Sequence, residues 1–177
     1  MAPPSISITA LAAATSRPER FVGLHFFNPV PMMALVELVR GLQTSQGTVD
    51  LAIAFAQKLT KTPIVVKDSP GFVVNRILCP MLNEAVFALQ EGLATAEDID
   101  NGMKLGCGHP IGPLALTDMI GLDVLLAVMN VFHSDFGDPK YVDVWADDVV
   151  TLSLQYSTQW DSLAHVGAEF DADGDGD

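Results

Sequence analysis

The amino-acid sequence predicts an α/β segment, then an all-α segment, then an irregular acidic tail. Three observations predict this order. Short apolar, strand-like runs flank one amphipathic helical pattern up to Asp68, whereas helical patterns alone fill residues 72–132. From about Lys140 onward the helical pattern stops and acidic residues accumulate. We therefore divide the chain into segments 1–68, 69–141 and 142–177.

The composition excludes several classes of protein. The 177 residues suit one ordinary domain or two small ones, and the 49 % of apolar residues are enough for a core. A net charge of −13 with nine Lys plus Arg gives no basic footprint, so we expect no nucleic-acid partner. No signal peptide and no membrane-spanning apolar run is visible, so we expect a soluble protein. Cys79 and Cys107 lack ligand spacing, which favours a reducing compartment, the cytoplasm.

The first segment starts with a strand-like piece and a helical turn, and two predicted strands follow. Ser5–Arg20 reads as a strand-like piece that runs into an Ala-rich helical turn and stops before Pro18. Phe21–Phe27 and Leu35–Val39 are apolar strands separated by a proline-bounded turn. Such a turn lets the two strands lie side by side.

A strand–helix–strand unit completes this segment. Gly41–Thr62 has apolar residues at helical spacing, and Thr44 or Ser45 is a suitable N-cap. The apolar strand Pro63–Lys67 follows. This order predicts a parallel pair of strands.

The second segment is predicted to be helical throughout. Ser69 is the expected N-cap of a long helix from Phe72, which Pro80 kinks. Thr95 opens a short helix, and Leu114–Phe132 forms another after a Gly- and Pro-rich loop. His109 in that loop and His133 at a helix end are interpreted as structural residues.

His25 and Glu37 are the first candidates for chemistry. If the two strands pair, a histidine in apolar surroundings meets the only acid of the following strand. A carboxylate on one ring nitrogen fixes the tautomer, which suits a general base. The alternative is a core histidine with an incidental acid nearby.

Asn75 and Arg76 are candidates for ligand binding because they lie in the first turns of the predicted helix. Backbone N–H groups there attract anions and carbonyl dipoles, and an asparagine can hydrogen-bond a ligand carbonyl. The alternative is two polar residues on a solvated turn. The sequence contains neither a G-x-G-x-x-G nor a G-x-x-x-x-G-K-[ST] motif, so nothing in it predicts a pyrophosphate cradle.

Three motifs in order, GLHFFNPVPMMALVELV, KDSPGFVVNRILCPMLNEA and GHPIGPLALTDMIGLD, resemble the 3-hydroxyacyl-CoA dehydrogenases. The 3-hydroxybutyryl-CoA dehydrogenases are the most similar members, and the resemblance covers about Ser5–Tyr141. It implies the C-terminal half of a Rossmann-like NAD-binding domain. It also implies a helical domain that dimerises and closes over an acyl-CoA substrate.

The resemblance also implies roles for individual residues. His25 corresponds to the family's catalytic base, Glu37 to its carboxylate partner, and Asn75 to an active-site asparagine that holds substrate. Asn28 and Asn75 are implied near the NAD cofactor. The base takes the hydroxyl proton while the 3-carbon gives a hydride to NAD.

The sequence departs from this family at both ends. The family's Gly-rich turn and ribose-binding acid are missing, so we expect weak or no NADH binding and an inactive chain. The alternative is a non-catalytic helical dimerisation module.

The tail TLSLQYSTQWDSLAHVGAEFDADGDG resembles a fragment of the metal-dependent cyclases (kynurenine formamidase-like hydrolases). Only Asp161 and His165 match their metal-binding motif, whereas Gln155 and Gln159 replace the earlier histidines. Two ligands do not close a site, so we expect no bound metal and keep a metal-dependent hydrolase as a third hypothesis. The final D-x-D-x-D-G is likewise an incomplete calcium loop in a disordered acidic tail.

Overall fold

The computed structural model describes residues 7–141, which fall into two compact units. The first unit contains the described residues up to Pro80 together with Val128–Tyr141, and the second contains Met81–Ala127. The predicted domain boundary at Asp68 stays a prediction. The predicted acidic tail, 142–177, lies outside the described residues.

A three-stranded sheet organises the first unit. Strand β1 (Gly23–Phe26) pairs antiparallel with β2 (Leu35–Arg40), and β2 pairs parallel with β3 (Thr62–Lys67). Helix α2 (Gln46–Lys58) connects β2 to β3. The predicted strand–helix–strand unit with a parallel pair is confirmed.

Helix α2 covers one face of this sheet. Its N-cap is Ser45, whose side chain accepts a hydrogen bond from the Thr48 N–H. Ser45 is one of the two N-caps that the sequence predicts. Ala52 and Ala56 pack with Val36 and Leu38 in a buried cluster. Because residues alternate along a strand, Glu37 lies on the opposite face of β2, away from this cluster.

The turn between β1 and β2 is held closed by hydrogen bonds. The Asn28–Pro29 peptide bond is cis, and the Met32 and Met33 amides both donate to the Pro29 carbonyl at 3.0 Å. Lys61 Nζ donates to the carbonyls of Val30 and Met33. Lys61, which directly precedes β3, therefore stabilises the turn that follows β1.

The predicted Ala-rich helical turn is present, but it begins at Ile8, inside the predicted strand-like piece. Residues Ile8–Ala13 form helix α1, capped by the Ser7 hydroxyl. Asp68 holds this start, because its carboxylate accepts hydrogen bonds from Ser7 Oγ at 2.7 Å and the Ile8 and Thr9 amides at 3.1 and 2.7 Å. A partner about 60 positions away decides the conformation, which local strand propensity does not anticipate.

The long helix of the second predicted segment starts later than predicted. Helix α3 spans Val74–Gln90 and continues through Pro80, so Ser69 is not its N-cap. Gly71 and Phe72 precede it with φ angles of +74° and +49°. Two successive left-handed residues form a tight turn, which the prediction of a helix from Phe72 missed.

The second unit is helical. Thr95 caps helix α4 (Ala96–Asn101), as predicted, and a π-helical turn follows at Gly102–Gly106. Helices α5 (Pro113–Ile120) and α6 (Leu122–Phe136) replace the single predicted helix, because Gly121 at φ +99° separates them. Between Ser7 and Tyr141, no single helix has the length and apolar composition to cross a membrane. Within this range, α5 and α6 taken together meet these two criteria, but they are bent by 95° relative to each other.

Candidate active site

The pairing of β1 with β2 places His25 directly opposite Glu37. Nδ1 of His25 lies 2.7 Å from Oε2 of Glu37. The Glu37 side chain is 0 % exposed, whereas the His25 side chain is 29 % exposed. A carboxylate that carries no proton accepts from Nδ1–H, which leaves Nε2 as the nitrogen with a free lone pair.

The second oxygen of Glu37 binds the start of α3. Oε1 accepts hydrogen bonds from the backbone amides of Val73 and Val74, each at 3.0 Å. Three N–H donors therefore surround a fully buried carboxylate, and the N-terminal end of α3 faces a negative charge. Glu37 thus performs the capping that the sequence assigned to Ser69.

Two aromatic rings flank the His25 imidazole. The centroid of Phe27 lies 4.7 Å from that of His25, with the planes 52° apart. The centroid of Phe72 lies 5.5 Å away, with the planes 57° apart. Sequence analysis missed both aromatic neighbours and the two backbone donors. A Gly before an aromatic residue at a predicted helix start is the one local signal for this turn.

Asn75 and Asn28 occupy different surroundings. Asn75 is half-buried in the first turn of α3, one residue after the Val74 amide. Its side chain forms no hydrogen bond within residues 7–141. Asn28 is exposed just beyond β1, at the cis peptide bond. Their roles toward substrate and cofactor stay predictions.

Arg76, the other polar residue of this turn, stacks on aromatic rings of the first unit, and its role toward a ligand stays a prediction. Its guanidinium carbon lies 3.5 Å from the centroid of the Phe136 ring and 5.0 Å from that of Tyr141. Stacking on two aromatic rings of the same unit is a packing role.

The described residues fit only part of an NAD molecule. His25 offers the ring nitrogen Nε2 and Asn75 offers a side-chain amide, and groups of these kinds suit the reacting end. Two connections lead from a strand of this sheet to a helix, and each carries a single glycine: Gly41 between β2 and α2, and Gly71 between β3 and α3. Neither has the set of glycines that lets a backbone approach a pyrophosphate, so the described residues do not fit this half of NAD.

A metal centre is not formed by this part of the chain. Over residues 7–141, no three His, Cys, Asp or Glu side chains are grouped closely enough to hold a metal ion. The candidate ligands Asp161 and His165 lie outside the described residues. His109 sits in the loop after the π-helical turn, where its amide donates to the Met103 carbonyl at 3.2 Å.

Two family models match the chain in sequence order. The model described as 3-hydroxyacyl-CoA dehydrogenase, NAD binding domain, matches residues 3–69. The model described as 3-hydroxyacyl-CoA dehydrogenase, C-terminal domain, matches residues 71–158.

Curated relatives and solved structures agree with these matches. The 3-hydroxybutyryl-CoA dehydrogenase of Clostridioides difficile is 56 % identical over 137 residues, which cover 77 % of this chain and 49 % of the relative. The human mitochondrial hydroxyacyl-coenzyme A dehydrogenase is 49 % identical over 129 residues, or 73 % of this chain and 41 % of the relative. The chain thus spans about half the length of the curated relatives it matches.

The crystal structure of (S)-3-hydroxybutyryl-CoA dehydrogenase from Ralstonia eutropha is similar, with a TM-score of 0.78 and 66 % sequence identity. The match covers 81 % of this chain and 50 % of that one. The 3-hydroxybutyryl-CoA dehydrogenase structure from Escherichia coli has a TM-score of 0.75 and 44 % identity, covering 80 % of this chain and 30 % of that one.

Proposed function

This chain belongs to the 3-hydroxyacyl-CoA dehydrogenase family, and we propose that it provides the general base for oxidising 3-hydroxybutyryl-CoA to the 3-keto product. The observation that carries this proposal is the His25–Glu37 pair, a partly exposed imidazole whose Nδ1 is bound to a buried carboxylate at 2.7 Å. The alternative of a non-catalytic helical module does not account for a buried carboxylate that orients an accessible histidine.

His25 acts through Nε2 in this proposal. With Nδ1–H donated to Glu37, the lone pair of Nε2 accepts the proton of the substrate's 3-hydroxyl group. Glu37 holds the imidazole in this tautomer and stabilises the imidazolium that forms. The backbone amides of Val73 and Val74 keep the carboxylate in place. The chain's own residues therefore supply the base, its orientation and its charge partner.

Asn75 binds the substrate side of this site. Its half-buried amide lies in the first turn of α3, directly after the amides that fix Glu37. An amide N–H donates to a carbonyl oxygen, so Asn75 is suited to the thioester or to the developing 3-keto group. We assign Asn28 and Asn75 to the nicotinamide side of the site as well.

NAD is the cofactor of this proposal, and the chemistry it supplies when bound is acceptance of the hydride from the 3-carbon. The described residues fit this reacting end alone. We place the reaction in fatty-acid or butanoate metabolism, and in the cytoplasm, where Cys79 and Cys107, both free thiols, stay reduced.

We further propose that the protein is a homodimer through its helical unit. A groove of about 450 Å³ within this unit is lined by apolar side chains, among them Met81, Ala85, Ala88, Leu93 and Met103. Leu93 and Leu105 are 76 % and 86 % exposed. An apolar surface of this kind is typical of an interface between subunits.

An NADH oxidation assay with acetoacetyl-CoA tests the proposed activity. Residues 7–141 are placed in the matching half of the Ralstonia eutropha enzyme, so that the rest of that enzyme binds NADH. We expect activity in this chimera and its loss in His25→Gln. His133→Gln, at an exposed histidine of α6, is the matched control and should keep full activity.

The isolated chain is assayed beside the chimera, with a titration against NADH. We expect weak or no NADH binding, since the sequence contains no G-x-G-x-x-G motif. A chimera that is equally active with and without His25 would contradict the proposed base. A micromolar dissociation constant for NADH would contradict the expected weak binding and leave the base proposal standing.

A further inference from the structure

We propose that Phe72 is a positioning residue for the His25 base. Its backbone directs two amides to Glu37, and its ring limits the orientation of the imidazole. This inference rests on the proposed dehydrogenase function, because a base needs a fixed Nε2 direction. It adds a residue to the site that neither the sequence motifs nor the hydrogen bonds of the pair reveal.

The backbone of Phe72 is in an unusual conformation. Its φ is +49°, in the left-handed region where a bulky residue is a genuine outlier. The next two residues, Val73 and Val74, are those whose amides bind Glu37 at 3.0 Å. The left-handed turn therefore aims both donors at the carboxylate. Conformations of this kind persist only where the surroundings determine them, and they cluster at functional sites.

The packing of Phe132 beside this turn restricts its conformation. Gly71, with φ +74°, precedes Phe72, and a β-carbon at Gly71 would lie 2.3 Å from Phe132 Cζ. The ring of Phe132 is buried and fills the space beside the turn. The direction in which Phe72 leaves the turn is consequently set by packing within the first unit.

The ring of Phe72 completes the orientation of His25. The hydrogen bond from Nδ1 to Glu37 selects one rotation of the imidazole about its Cβ–Cγ bond, and the packing on its two faces decides how far the ring departs from it. Phe72 at 5.5 Å and Phe27 at 4.7 Å flank the imidazole with tilted planes. Rings at these separations attract one another and resist rotation of the plane between them. Nε2 is thereby aimed in one direction.

Two substitutions separate the ring from the backbone. Phe72→Gly accepts a positive φ freely, so it keeps the turn and removes the ring. Phe72→Tyr keeps both. The readouts are the Nδ1–H proton resonance of His25 in long-range ¹H–¹⁵N spectra and the rate at which diethyl pyrocarbonate acylates His25, followed by mass spectrometry of its peptide.

We expect Phe72→Gly to broaden the Nδ1–H resonance and to raise the acylation rate of His25 about two- to tenfold, the factor that one aromatic contact represents. Phe72→Tyr should restore both values. The exposed His133 gives the reference rate in the same sample. If Phe72→Gly does not fold, Phe72→Leu replaces it, since it keeps an apolar side chain and loses the ring.

A wild-type resonance and rate in Phe72→Gly or its substitute would overturn the positioning role. A changed melting temperature with unchanged His25 signals would also overturn it, because that pattern marks a purely structural residue. Both readouts report on the imidazole without NADH, acyl-CoA or turnover. A failed dehydrogenase assay would therefore overturn the proposed function, whereas the spectra and acylation rates would still show whether Phe72 positions His25.

Discussion

Phe132 lies so close to Gly71 that no side chain fits between them. A β-carbon built on Gly71 would lie 2.3 Å from Cζ and 2.6 Å from Cε1 of the Phe132 ring. Gly71 also has a φ of +74°. Sterics and backbone conformation thus both require glycine at the turn that aims the Val73 and Val74 amides at Glu37.

Gly71→Ala should therefore destabilise the protein by about 2–4 kcal/mol, the sum of a left-handed penalty and a displaced core ring. The matched control is Gly92→Ala. Gly92 has a similar φ of +71°, but nothing lies within 4 Å of an added β-carbon. That variant should lose only about 1–2 kcal/mol. Urea unfolding measures both, and equal losses would show that the contact with Phe132 has no energetic effect.

Glu37→Gln should invert the tautomer of His25. The amide oxygen of glutamine still accepts from Val73 and Val74, so its NH₂ group faces Nδ1 and donates to it. The imidazole proton then moves to Nε2, and the base loses its free lone pair. Long-range ¹H–¹⁵N spectra distinguish the two tautomers. In the chimera we expect a loss of kcat of about 10²-fold or more. A variant that keeps the Nδ1–H form would contradict this role of Glu37.

Asp68 should make stability depend on pH in the acid range. Burial raises the pKa of this carboxyl, but hydrogen bonds from Thr9, Ser7 and Ile8 outweigh it and hold the pKa below its ordinary value of 3.8. A folded pKa below the unfolded one stabilises the protein above the unfolded pKa. This stabilisation is lost as pH falls from about 3.8 through the folded pKa.

The measurement is the free energy of unfolding of wild type and Asp68→Asn across this range. At neutral pH we expect the variant to be less stable by about 1–2 kcal/mol. The difference should shrink as the solution is acidified. Asp50→Asn is the control, since Asp50 is exposed and accepts a single side-chain bond from Gln46. A constant difference down to the acid end would exclude Asp68 as the source.

Cys79 and Cys107 should differ sharply in reactivity. Burial raises the pKa of the Cys79 thiol to about 11, whereas Cys107 is exposed. The thiolate is the nucleophile, so at neutral pH iodoacetamide should label Cys107 and leave Cys79 unmodified in the folded protein. Labelling of Cys79 should appear after denaturation with urea. Rapid labelling of Cys79 in native buffer would show that α3 opens around it.

The proposed dimer is tested at Leu93, which is 76 % exposed and borders the apolar groove. We expect Leu93→Glu to shift the protein from dimer to monomer, because a charge at an apolar interface loses its solvation. Leu42→Glu is the control, since Leu42 is 89 % exposed in the first unit. Light scattering coupled to size exclusion gives the mass. A dimer that survives Leu93→Glu would place the interface elsewhere.

Local patterns predicted the strands, α2 and the meeting of His25 with Glu37, since these depend on alternation, caps and a proline-bounded turn. The register places the pair opposite each other. The parallel pair followed from the helix between the strands. Thr95 was found as a cap because its bond to the Asp98 amide is local.

Long-range partners explain what the sequence missed. Helix α1 begins as early as Ile8 because Asp68 binds its start, and no window of the sequence contains both. The late start of α3 has the same origin, since Glu37 takes the capping role expected of Ser69. The left-handed Phe72 is a residue type that propensity assigns to helix or strand.

Because Glu37 is bound to two elements, the arrangement around His25 depends on the cooperative folding of the β1–β2 hairpin and the start of α3. Oε2 reaches β1 through His25, and Oε1 reaches the start of α3, so the two contacts coexist only once hairpin and helix have met. Hydrogen exchange at the Val73 and Val74 amides should then follow global unfolding of the first unit rather than fraying of a helix end. Loss of the Glu37 carboxylate from His25 and exposure of the first amides of α3 should then occur in the same unfolding step.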